Sequence, residues 1–327
     1  MRNTNREEFI MLKQWIVLAS LIVVSPPLIA QTASPGANRE TGQAAPTQSP
    51  EEWQRKYDMA SKYRSLEDFY NAMKQEAASK PKGPLPDWSG IWTADTFDSF
   101  AKCLGGNQCF FRPAPGLTVR PKLTPTALAE LKKGQERSAK GLVYDENLSN
   151  CGPSGFPRWI GEPFMREMIV TPDESWLIEE QMNEIRRVYT DGRGHAPEKD
   201  RYPLIEGDSI GFWDGQKLVI HTNQLESIPM GRNQPTQSEQ METVEIMEKI
   251  NANTIAIDEW LFDPRLYIEP WYMRRLLGLV PNPDKSLRVR YWDCNENSNN
   301  DVSKSPDGDT YYKGFDFSDK KNDKSKQ

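Results

Sequence analysis

The feature that most constrains this chain is a succession of short apolar runs separated by turn-forming residues. The runs fall at 164–170, 175–182, 185–190, 208–213, 216–222, 241–250, 254–262 and 286–294. Most alternate apolar with polar residues, the period of a strand with one buried face. Asp214-Gly215 between two runs is the residue pair a two-residue hairpin demands, and Pro172-Asp173 and Asn251-Ala-Asn253 mark further turns. A short aromatic strand, Trp88-Ser-Gly-Ile-Trp92, opens the body. Strands joined mainly by tight turns form an antiparallel meander, and a meander removes its edges by closing. The predicted fold is therefore mainly β: an antiparallel meander closed into a barrel with peripheral helices, a sandwich being the alternative. About eight strands enclose room for one small ligand.

Helical patterning lies outside these runs. Trp53 and Tyr57, then Leu66, Phe69, Tyr70 and Met73, place apolar stripes on a helical extension over 51–84, with Ser65 and Asp68 as a capping pair. Thr124-Pro125 reads as N-cap and first-turn proline of a helix reaching about Arg137. Residues 263–285, with Trp271-Tyr272-Met273 and Leu276-Leu277-Gly278-Leu279, suggest a helical lid. The barrel domain spans 85–297; polar residues 31–50 and 298–327 read as a disordered linker and a disordered tail.

The first thirty residues set the compartment. Arg2, Arg6 and Lys13 precede the apolar run Trp15–Val24, and Ala30 stands at a plausible cleavage edge. That is the order of a secretory signal peptide over 1–30, so the mature protein is expected in the periplasm or outside the cell, with no membrane span left after signal removal. In an oxidising space four cysteines read as disulfides, and the spacings favour Cys103–Cys109 and Cys151–Cys294 over a zinc site. A net charge of −6 shows no basic face for nucleic acid. No glycine-rich phosphate loop occurs and no cofactor is expected; oligomeric state is left open.

Several segments resemble a large family of uncharacterised secreted bacterial proteins. Arg187-Val-Tyr-Thr-Asp-Gly-Arg193-Gly-His195 is similar to its RxYTDGRxH segment. Gly207-Asp-Ser-Ile-Gly211-Phe-Trp213 through Ile220 is similar to its GxSIGxW segment, and Asp263-Pro-Arg-Leu-Tyr267-Ile-Glu-Pro-Trp271 to its DPxxYxxPW segment. Asp87–Trp92 and Cys294-Asn-Glu-Asn297 resemble its opening DxSGxW and closing CxEN. Gln216 and Lys217 depart from an acidic, polar turn, and the helical extension is additional. The resemblance implies secretion and fold; the GxW opening and meander also resemble lipocalin-type barrels.

Candidate chemistry gathers at few positions. Asp191, Arg193 and His195 follow Tyr189 on one loop, where His195 would act as acid or base with Asp191 fixing its tautomer and Arg193 binding an anion. The competing reading is a turn capped by Asp191 and paired with Arg193, with His195 exposed. His221, the only other histidine, shares a strand face with Val219 and faces the pocket if that face lines the lumen. Two histidines with a carboxylate can also ligate a metal, though their spacing argues against it. Glu259 inside a barrel would have a raised pKa. With Tyr189, Trp213 and Trp260 it forms the candidate lining of a pocket for a small apolar or aromatic molecule. The expected function is binding such a molecule; the alternative is a cofactor-free acid/base enzyme, an isomerase, lyase or hydrolase, built on His195, Asp191, Arg193 and His221.

Overall fold

The computed structural model describes residues 49–81, 83–94, 121–142, 147–282, 284–294, 302–304 and 310–312. The signal peptide, most of the 31–50 linker and the Cys103–Cys109 pair fall outside them.

Nine strands close into one barrel: β1 (Trp92–Ala94), β2 (Met165–Val170), β3 (Glu174–Glu179), β4 (Ile185–Tyr189), β5 (Asp208–Asp214), β6 (Lys217–Asn223), β7 (Glu242–Asn251), β8 (Thr254–Phe262) and β9 (Trp271–Leu279). Each strand pairs with the next, and β9 returns to β1 with Trp92 opposite Leu279. The pairing is antiparallel except between β4 and β5, where Val188 and Tyr189 run parallel to Ser209 and Ile210. A parallel neighbour requires a crossover of a dozen or more residues. Residues 190–207 make it, and they carry His195 over the outer face of the barrel.

Two expectations fail here. The lid predicted over 263–285 contains β9, and the strand predicted over 286–294 has no ladder. β9 is covered on both faces: Trp271, Met273 and Leu277 point into the lumen cluster, while Tyr272 packs under the helices. A strand buried on both sides loses its alternation and reads as a continuous apolar run. Residues 286–294 alternate but lie open, with Tyr291 83% exposed. Asn183 holds this segment instead, donating to the Trp292 carbonyl at 3.0 Å and accepting its N–H at 2.8 Å. The segment ends in the disulfide Cys151–Cys294. Within the tail read as disordered, Val302–Lys304 (β10) and Thr310–Tyr312 (β11) pair antiparallel.

The helices form where their caps specify. α1 (Pro50–Ala60) starts on Ser49, whose hydroxyl accepts the Glu52 N–H, and α2 (Leu66–Ala78) on Ser65, which accepts that of Asp68. α3 (Pro125–Ala139) starts on Thr124, which accepts the Ala127 N–H. α1 and α2 are no separate unit: Trp53, Leu66, Phe69 and Tyr70 join Ile210, Val219, Val244, Trp260 and Tyr272 in one cluster on the outer barrel face. Phe69 meets Trp260 edge-on at 5.2 Å, and the Trp260 indole donates to the Lys56 carbonyl at 2.9 Å.

The lumen is filled. One region is apolar, with Trp88, Trp92, Leu218, Met247, Ile255 and Leu277 almost wholly buried. Another is charged. Arg166 meets Glu179 at 3.0 Å, and Arg186 meets Glu245 while donating to Ser209 and Thr222. Residues 152–163 lie against these charges. Glu184 accepts the N–H groups of Ser154 and Gly155, and Arg166 donates to the carbonyls of Trp159 and Glu162.

Candidate functional site

His221 stands on the middle of three adjacent strands. Leu218 and Ile220 point inward, so Val219 and His221 point outward, toward α2 and away from the lumen. The condition under which His221 would face a lumen pocket, that the Val219 face lines the lumen, is therefore not met. Register places Ile210 of β5 and Val244 of β7 opposite His221. Asp208 and Glu242 lie two residues from those partners, on the same face. These are the diagonal positions from which longer side chains reach across a ladder.

The crossover after β4 supplies the fourth group. His195 Nδ1 lies 2.8 Å from Asp208 Oδ2, and His195 Nε2 lies 2.7 Å from His221 Nδ1. His221 Nε2 then faces Glu242 Oε2 at 3.7 Å. The four side chains form a line: Asp208, His195, His221, Glu242. Both rings are shielded, the side chains being 4% exposed for His195 and 0% for His221, with the Tyr70 ring of α2 centred 5.6 Å away from His221. Asp208 also accepts from the Ala196 N–H and the Gln224 amide, which fixes its orientation.

Proton placement follows from the contacts. An ionised Asp208 can only accept, so His195 donates from Nδ1 and its Nε2 must accept. The inter-ring proton then belongs to His221 Nδ1. That leaves His221 Nε2 as the one ring nitrogen with a free lone pair, turned toward a carboxylate. A proton arriving there creates an imidazolium between His195 and Glu242. Burial alone would raise both carboxyl groups, but their partners prevail. Asp208 is held below its ordinary range by His195 and the Ala196 N–H, and Glu242 is held down by His221 once its Nε2 carries a proton and by the Glu67 N–H.

Glu242 also lines an open cleft of ≈ 270 Å³ with Glu67, Arg201, Tyr202, Gln224 and Glu239 among its other walls. The relay therefore leads from a solvent-reached carboxylate to a buried imidazole pair. Among the described residues no group of three or more His, Cys, Asp or Glu is arranged to hold a metal. Three of the four imidazole nitrogens are already engaged within the chain.

The predicted site residues divide. His195 and His221 come together; Asp191 and Arg193 do not join them. Arg193 closes on Asp191 through Nε at 2.8 and 2.9 Å and lies over the Tyr189 ring at 4.2 Å. The Asp191–Arg193 turn forms, but His195 is shielded rather than exposed, and Asp208 rather than Asp191 orients it. Tyr189, Trp213, Glu259 and Trp260 share no pocket. Trp213 packs on Trp88 at 5.5 Å, while Trp260 points outward under Phe69. Glu259 is fully buried in the lumen, and its pKa is pushed up to about 8 by burial, against the Arg275 charge. Sequence reasoning missed Asp208 and Glu242. Their signal was present: each opens a strand at an outward position two residues from a register partner of His221.

No protein-family model matches the chain, and no curated protein sequence matches it. Among the described residues no helix is long and apolar enough to cross a membrane.

Proposed function

We propose that this chain is a secreted or periplasmic β-barrel enzyme that transfers protons on a small molecule held in the cleft beside α2. The observation that supports this most is the hydrogen-bonded line Asp208–His195–His221, at 2.8 and 2.7 Å, with Glu242 3.7 Å beyond it on the cleft wall. Glu242 meets the substrate; His221 Nε2 takes the proton behind it; His195 and Asp208 stabilise the charge that results. Such a relay serves an isomerisation, an elimination or a hydrolysis, whose steps need a positioned acid and base. The Cys151–Cys294 bond supports an oxidising compartment. We also read the chain as a member of the secreted bacterial family it resembles, since His195 and Asp208 lie within two of the resembling segments.

The test is turnover. The full chain is incubated with a small-molecule extract of its host and followed by proton NMR. Resonances should change with the wild type, and His221→Gln should slow that change about 10²–10⁴-fold. Equal rates for the two proteins would contradict the proposal. Pure binding in the same cleft is the second reading, and Glu242, lining the cleft, favours it equally. Under it, no resonance is consumed and His221→Gln leaves affinity near wild type.

A further inference from the structure

The cleft carries charges of both signs that do not neutralise one another. Glu67 enters from the first turn of α2, Glu239 and Glu242 from the segment that leads into β7, and Arg201 from the crossover after β4. Neither Glu67 nor Glu239 has an ion-pair partner among the described residues. Among the described residues the Arg201 guanidinium meets only a backbone carbonyl, that of Ala196, at 2.9 Å through Nε. These charges of opposite sign border one hollow. Behind Glu242, His221 is fully buried, and its Nε2 faces that carboxylate at 3.7 Å without a hydrogen-bond partner.

We infer that the cleft binds a small zwitterion, a molecule of amino-acid size carrying an ammonium and a carboxylate. This rests on the acid/base reading of the same site and names its substrate class. Arg201 accepts the carboxylate, because a guanidinium fork matches two carboxylate oxygens and stays charged. Glu67 and Glu239 take the ammonium. Glu242 is left for the proton that moves, with His221 behind it. The hollow, at ≈ 270 Å³, falls below the usual range for drug-sized ligands, which restricts the occupant to a small molecule. Tyr202 (64% exposed), Gln224 and Gln240 complete a mainly polar lining suited to a hydrated, charged ligand rather than an apolar one.

The experiment is calorimetric titration of the full chain with three matched sets of probes. The zwitterions are glycine, β-alanine and 4-aminobutyrate; the cations are methylamine, ethylamine and propylamine; the anions are acetate, propionate and butyrate. At least one zwitterion should bind at least about tenfold more tightly than the amine and the carboxylate of matching length, since each lacks one charged contact. Arg201→Gln should reduce the zwitterion to the affinity of the amine and leave the amine unchanged. Glu239→Gln should weaken both. Both side chains lie at the surface, so the variants keep the fold. Equal binding of zwitterion and amine, or heat from none of the probes, would overturn the inference. His221→Gln separates this from the function proposed above. A zwitterion that binds both proteins alike but is turned over by neither preserves the ligand class and removes the chemistry. A His221-dependent turnover of some other molecule, with no zwitterion bound, does the reverse.

Discussion

Asp208 decides which way the inter-ring hydrogen bond points. As an acceptor it fixes the His195 proton on Nδ1, and that leaves His221 Nε2 as the nitrogen with a free lone pair, the base of the proposed relay. Asp208→Asn presents an amide that can donate, so it permits the opposite tautomer. Turnover should fall about 10²-fold or more while the fold persists, checked by rate and far-ultraviolet circular dichroism. Because folding holds the Asp208 pKa below its ordinary value, its contribution to stability is present above about pH 4 and disappears as pH falls through the lower folded value. Glu259 has the opposite sign. Its carboxyl is raised to about 8, so from about pH 4.5 to about 8 the folded state keeps a proton that the unfolded chain has released. This one group makes stability fall by about 1.4 kcal/mol per pH unit across that window. Glu259→Gln, neutral at every pH, should flatten that slope and raise the urea midpoint at pH 8. An unchanged slope would mean that Glu259 is ionised in the fold.

At the scale of elements, the helical extension is the cover of the site. Phe69, 1% exposed, packs edge-on to Trp260 and immediately precedes Tyr70, which shields His221. Phe69→Ala should cost about 3–5 kcal/mol in denaturant unfolding. It should also loosen α2 enough to speed hydrogen exchange at its amides more than at those of β8. The helices were legible because their caps are local: Ser49, Ser65 and Thr124 each accept the N–H three residues on. Most strands were legible from alternation and from Asp214-Gly215. β9 was not, because burial on both faces erased the period. The 286–294 run misled because alternation records a face able to be buried, and here Tyr291 stays in water. Of the site, the two histidines could be singled out by rarity. Their carboxylate partners depend on register and on a parallel crossover, and neither is written in any local pattern.

The molecule is a barrel whose lumen is filled with packed and charged side chains and whose outer face carries the proposed relay. Six glutamates (162, 179, 184, 206, 245 and 259) and four arginines (158, 166, 186 and 275) occupy or border the lumen, and residues 152–163 lie against them. The Cys151–Cys294 bond joins the start of that segment to residue 294, 143 positions away. Replacing both cysteines by serine should cost about 5 kcal/mol in the chain-entropy model, read as a lower urea midpoint, and peptide mapping without reductant should recover this pair. The chain contains only two histidines, so its imidazole spectrum consists of the proposed relay alone. A long-range proton–nitrogen NMR spectrum of the uniformly nitrogen-15-labelled protein therefore tests the central claim most directly. The relay predicts protonated Nδ1 on both rings and a scalar coupling across the hydrogen bond between His195 Nε2 and His221 Nδ1. Two uncoupled rings, each protonated on Nε2 and titrating as independent imidazoles, would contradict it.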